Sequence, residues 1–177
     1  MQINLARKTV GKYMTNNCKK YLYGLFLVIF IALFLFSIKY KIYIQHTESM
    51  SPTIFPGTLC LIKKCKENLN RFDIVAYELN YSEGIGLGRI VGLPCERIKF
   101  LESKIIIDDR ELDLKEYKNI YNEINRNYGI KYGKEEYYEI KKGEYFLIGD
   151  NHRISFDSRY HGGIDSCRII GKVVFTW

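Results

Sequence analysis

Ser49-Met50-Ser51-Pro52-Thr53 is the stretch on which the reading of this 177-residue chain turns. It stands shortly after an uncharged apolar run, Tyr21 to Ile38 (YLYGLFLVIFIALFLFSI), and ahead of a series of short β-prone segments. As a helix, with a rise of about 1.5 Å per residue, the run 21–38 reaches about 27 Å, near the thickness of a bilayer core. Leu, Ile and Phe dominate it, so insertion is favourable along its length. The sequence therefore predicts a transmembrane helix over 21–38, with the serine motif close to its far end.

Working outward, the segment before the run carries Arg7, Lys8, Lys12, Lys19 and Lys20 and no acidic residue. After the run come only Lys39 and Lys41 before His46. The positive-inside rule then makes 1–20 a cytoplasmic basic tail and puts everything past residue 40 outside the cell membrane. A cleaved secretory signal fits less well. The run exceeds a typical signal core, and Ile38-Lys39-Tyr40-Lys41 offers no small-x-small cleavage site. The formal net charge of +7 owes five positive charges to that tail. The rest is interspersed with acidic residues and forms no basic stripe with aromatics, so nucleic acid is not expected as a partner.

Hydrophobic residues make up 47% of the chain, and its length suits one domain with a real core. Short β-prone runs occur at 58–62, 73–77, 88–92, 97–101, 104–108, 144–148 and 172–176, with Asp108-Asp109 as a hairpin signal. Residues 111–143 are rich in Lys, Glu, Asn and Tyr and read as a solvent-exposed variable insertion. The fold class is mainly β, an exported domain over 42–177 behind one N-terminal transmembrane helix. Cys18 falls on the cytoplasmic side. Cys60, Cys65, Cys95 and Cys167 fall outside, where disulfides are allowed but no pairing is specified. No Cys or His spacing suits zinc, and neither a metal nor a cofactor is expected.

Four blocks in order carry a family resemblance across this domain. The first is Ser49 to Thr53 followed by Gly57. The second is Arg71-Phe72-Asp73-Ile74-Val75, the third Gly88-Arg89-Ile90-Val91-Gly92-Leu93-Pro94-Cys95-Glu96. The fourth is Gly149-Asp150-Asn151 with Ser155, Asp157, Ser158, Arg159 and Gly162. Together they resemble the type I signal peptidases, membrane-anchored serine–lysine enzymes. The resemblance implies a signal-peptidase-like β domain with Ser49 at the nucleophile position. Thr47 and the Ser49 N–H become oxyanion donors, and Ser155, Asp157 and Arg159 brace the site. It places the general-base lysine at residue 88, where this chain has Gly88. Phe72 and Cys95-Glu96 also replace the family's glycine and Gly-Asp, and His161 replaces an aromatic.

Serine attacks only as a base takes its proton, and serine–lysine enzymes use a desolvated neutral amine for this. Glycine supplies none, and the neighbouring Arg89 stays protonated. His46, His152 and His161 are capable bases by type, but none occupies position 88. Two function classes follow. One is a non-catalytic chaperone or assembly factor that holds exported preproteins or pilin-like chains by strand addition. Its groove is expected at the edge Ile85-Gly86-Leu87 and a pocket beneath Met50 and Pro52. Signal-peptidase-like proteins with degenerate dyads are known from pilus gene clusters of Gram-positive bacteria. The other class is an active signal peptidase using Ser49 and a substitute base.

Overall fold

A computed structural model describes residues 2–65, 68–79, 84–101, 104–113 and 136–177, with side chains described from residue 19 onward. The chain divides into two compact units, Met1–Lys39 and Tyr40–Trp177. The first is a single helix, α1 (Gln2–Lys39), uninterrupted by proline. Its Lys19–Lys39 portion is long and apolar enough to cross a membrane, with none of it buried inside the protein.

The second unit is built of antiparallel strands. A seven-stranded sheet runs in the order β1 (Tyr40–Ile44), β2 (Leu59–Lys64), β11 (Ile169–Thr176), β3 (Ile74–Glu78), β4 (Ile85–Gly92), β9 (Glu144–Ile148), β10 (Ile164–Asp165). A four-stranded sheet runs β7 (Arg110–Glu111), β6 (Lys104–Ile107), β5 (Arg97–Leu101), β8 (Tyr138–Glu139). Alternation of apolar and polar residues sets which face each strand buries. Cys60 and Ile62 of β2 point inward, as do Ile98 and Phe100 of β5 and Ile105 and Ile107 of β6. One cluster joins the two sheets: Val91, Phe146 and Ile148 from the larger pack with Ile98, Phe100, Ile105, Ile107 and Ile140. A second gathers Val75, Tyr77, Ile90, Leu147, Ile164 and Ile169. A third places Met50 and Ile54 against Cys60, Ile62, Ala76 and Leu87.

The mainly β expectation holds, with differences at the edges. The hairpin at Asp108-Asp109 forms, with φ of 46° and 65°, the left-handed pair that a tight two-residue turn needs. Strand β1 was not foreseen, because Lys41 and its position directly after the apolar run hide a short pairing with Leu59–Lys63. β4 starts at Ile85 and β11 at Ile169, earlier than their β-branched cores suggest. The expected insertion 111–143 needs correction at its end. Tyr138–Glu139 pairs with Arg97–Ile98, and Ile140 is only 2% exposed, since this segment closes the smaller sheet's core. The part over 114–135 lies outside the described residues. Cys60, Cys65, Cys95 and Cys167 form no disulfide with one another.

Candidate functional site

The loop carrying Ser49 is held at both ends. The Gln45 N–H bonds to the Thr58 carbonyl at 3.0 Å, and the Gln45 carbonyl accepts from Gly57 N–H at 2.7 Å. A single 3-10 turn, Glu48–Met50, then delivers Ser49, half-buried, at the surface of the core. Met50 anchors that turn, fully buried among Ile54, Cys60 and Leu87. Its side chain therefore packs into the core, and neither it nor the exposed Pro52 lines the cavity onto which Ser49 opens.

The fourth block docks directly on this loop. Asn151 N–H donates to the Ser49 carbonyl at 2.9 Å. Gly149 permits the approach: a Cβ there would sit 2.1 Å from Ser155 Oγ and 2.6 Å from the Ser49 carbonyl oxygen. Two buried ion pairs hold the block in place. Asp157 accepts from Arg159 Nε and Nη2, each at 2.8 Å, and from the Gly149 N–H at 3.0 Å. Arg159 also donates to the His152 carbonyl at 3.3 Å. The second pair was not foreseen. Arg89 grips Asp150 bidentately at 2.8 and 2.6 Å and donates to the Phe72 carbonyl at 2.9 Å, tying together the second, third and fourth blocks. Fork-to-carboxylate geometry satisfies both charges at once, as burial requires. Glu96 does similar work nearby, pairing with Arg71 at 2.5 Å and accepting from Leu93 N–H at 2.7 Å.

Ser49 opens onto a cavity of about 340 Å³. Thr47, Ser155, Ile85, Gly86 and Leu87 share its wall with Ser49, while Asp157 and Arg159 are buried and do not line it. Tyr77, Phe156 and Ile164 make much of the remainder apolar. The Ser49 hydroxyl lies 2.9 Å from Thr47 Oγ1 and accepts from Gln45 Nε2 at 3.3 Å. Gln45 also reaches Thr47 Oγ1 and the Thr47 carbonyl, at 3.1 and 2.9 Å. Gln45 carries no motif in the sequence, where it only opens the polar run Gln45-His46-Thr47-Glu48-Ser49. Its position, 1% exposed yet aimed at the serine, is visible only in three dimensions.

No amine stands at position 88, where the resemblance puts the general base. A side chain at Gly88 would start 3.2 Å from Leu147 Cβ and 3.4 Å from the Tyr77 ring. Tyr77 itself is no base near neutrality, because burial, with Asp157 nearby, pushes its phenol up to about 12. Among the described residues no lysine lines the cavity. His161 does line it, with Nδ1 3.0 Å from the Gly162 carbonyl. Burial lowers its pKa and favours the neutral ring. His46 faces a neighbouring recess, and His152 is buried. No cluster of three or more metal-ligating side chains occurs among the described residues.

A family model described as signal peptidase, peptidase S26, matches residues 18–177. Signal peptidase I of Bacillus caldolyticus is 29% identical over 145 residues, which is 76% of this chain and 78% of the relative. Signal peptidase I U of Bacillus subtilis (strain 168) is 30% identical over 148 residues, or 78% of this chain and 77% of the relative. In fold, the chain resembles a crystal structure of a signal peptidase I from Enterococcus faecalis V583. That likeness has a TM-score of 0.50 and 22% identity, covering 61% of this chain and 98% of that one. The match across nearly the whole β unit and the shared strand framework lead to one assignment: this chain belongs to the signal peptidase family, peptidase S26.

Proposed function

We propose that this protein is a membrane-anchored member of the family that binds extended segments of exported chains, such as pilin-like subunits, without cutting them. The supporting observation is the surroundings of Ser49. Its oxygen meets an amide donor from Gln45 and the Thr47 hydroxyl, neither of them a base, while Gly88 supplies no side chain. An N–H pointing at the serine oxygen engages a lone pair and removes no proton, so attack on a carbonyl is not assisted. The loop, its bracing ion pairs and the adjoining wall are nonetheless retained. In this reading Ser49 keeps the nucleophile's place, Thr47 the oxyanion donor's, and Ser155, Asp157 and Arg159 the bracing roles. The peptide lies along Ile85-Gly86-Leu87, where main-chain hydrogen bonds give affinity and the cavity gives side-chain preference.

The test is incubation of the purified full chain in detergent with a preprotein carrying small residues at its cleavage site, between pH 6 and 9. The expected result is no product and a retained complex, unchanged in Ser49→Ala. Product that disappears in Ser49→Ala would overturn the reading, and its further loss in His161→Ala would identify the imidazole as base.

The same proposal places 21–38 across the cell membrane, with the basic tail 1–20 inside and the β domain outside. Protease added to intact cells is expected to digest the domain and spare the tail. A domain that survives intact in whole cells while being cleaved in lysed ones would reverse this orientation.

A further inference from the structure

Strand β4 is paired from its first residue on one side and only from Arg89 on the other. Ile85–Arg89 lie against Glu78–Ile74 of β3, whereas the pairing with β9 begins at Arg89. In an antiparallel ladder successive residues turn their peptide groups alternately toward and away from the partner. Leu79 N–H donates to the Gly84 carbonyl at 3.0 Å, at the open end of the β3–β4 pairing. The alternation therefore directs Gly86 and Gly88 toward β3 and turns the peptide groups of Ile85 and Leu87 to the other side. One of these groups already has a partner. Tyr43 Oη, from β1, donates to the Ile85 carbonyl at 2.9 Å. Burial, with Cys60 nearby, raises the Tyr43 pKa, so the phenol keeps its proton and donates at neutral pH. Tyr43 and Ile85 line both the Ser49 cavity and the adjoining recess that holds Lys41 and Glu78. Their contact is a bar between the two.

We infer that the Tyr43 hydroxyl is a built-in competitor for the Ile85 carbonyl, which an added peptide strand must displace, and that Tyr43 thereby selects the peptides that engage. This rests on the strand-addition reading above. A ligand that brings its own backbone N–H to that carbonyl replaces the lost bond. A ligand with proline or an N-methylated residue there leaves the acceptor unpaired and is rejected. Tyr43 thus acts as a specificity-determining residue through a hydrogen bond, with its ring left in the wall on either outcome.

The experiment measures binding of a fluorescein-labelled signal-peptide probe, with alanine at alternate positions, to the full chain in micelles by fluorescence anisotropy. Tyr43→Phe keeps the ring and removes the competing hydroxyl. One hydrogen bond of ordinary net strength corresponds to a dissociation constant about three- to tenfold lower in the variant. Equal or weaker binding would overturn the inference. As a second readout, 3-fluorotyrosine at position 43 is expected to shift its fluorine resonance when the probe saturates the protein. A resonance that stays in place on saturation would overturn it equally. The two readings fail differently. Loss of all probe binding in both proteins removes strand addition and the bar with it, whereas tight binding indifferent to Tyr43→Phe removes only the bar.

Discussion

Arg159→Ala is expected to lower the unfolding free energy by about 3–5 kcal/mol, the cost of leaving a buried carboxylate without its partner. Asp157 and Arg159 are 2% and 1% exposed, so water cannot take over. The carboxylate is not a simple pair partner. It accepts from Arg159 Nε and Nη2, from Arg159 N–H and from Gly149 N–H, so it also caps the short helix α2 (Ser158–His161) and fixes the backbone beside Ser49. A loss of that size is a large share of the roughly 5–15 kcal/mol that a domain has in total. Replacing both partners by apolar residues, Asp157→Leu with Arg159→Met, is expected to recover part of the loss, because no orphan charge remains. Denaturant unfolding of the full chain, followed by near-ultraviolet circular dichroism, measures this. A loss under about 1 kcal/mol for Arg159→Ala would mean the pair is dispensable.

Leu87→Pro is expected to abolish peptide engagement while Ser49→Ala leaves it intact. Proline removes the N–H at a residue whose peptide group faces away from β3, at the centre of the edge offered to a ligand. Its fixed φ also disturbs the strand. Leu87 is 3% exposed and packs on Met50, so the variant also loses core contact, and unfolding must be monitored alongside binding. Ile85→Pro serves as the second variant, since Ile85 is only half-buried and lies on the same edge. Both proline variants, folded and without probe binding, are the expected outcome. A cooperatively unfolding Leu87→Pro protein that still binds as the wild type does would sink strand addition along 85–87. Loss of binding in Ser49→Ala would instead put the hydroxyl into the interaction.

How much of this was legible depends on how far apart the partners lie in the chain. Asp157 and Arg159 stand two positions apart within one motif, so a bracing carboxylate and cation were readable there from the resemblance. The Arg89–Asp150 grip joins two motifs whose residues are each interpretable alone, as a cation and as a turn former, so their union was not. Tyr43 sits in a strand hidden by its place beside the apolar run, and Gln45 follows directly after it. Met50 was expected at the groove because it follows the serine, but a 3-10 turn points consecutive side chains in different directions, here into the core. Phe72 and Cys95 are the reverse case. Both stand where the resemblance has glycine, and both keep glycine's left-handed backbone, with φ of 71° and 68°, at a cost of about 1 kcal/mol each. The chain path survived while the residue best suited to it did not.

The hydrogen bonds around Ser49 Oγ have a pharmacological consequence. Covalent warheads made for serine hydrolases depend on an oxygen whose proton can leave as it attacks. Here a lone pair is engaged by Gln45, and the nearest hydroxyl belongs to Thr47. On the non-cutting reading proposed above, such reagents would pass this protein by, and a survey of reactive serines would miss it. A molecule meant to occupy it has to work by reversible fit to the apolar wall made by Leu87, Tyr77 and Phe156. Shape and desolvation would then set its potency, with no contribution from bond formation.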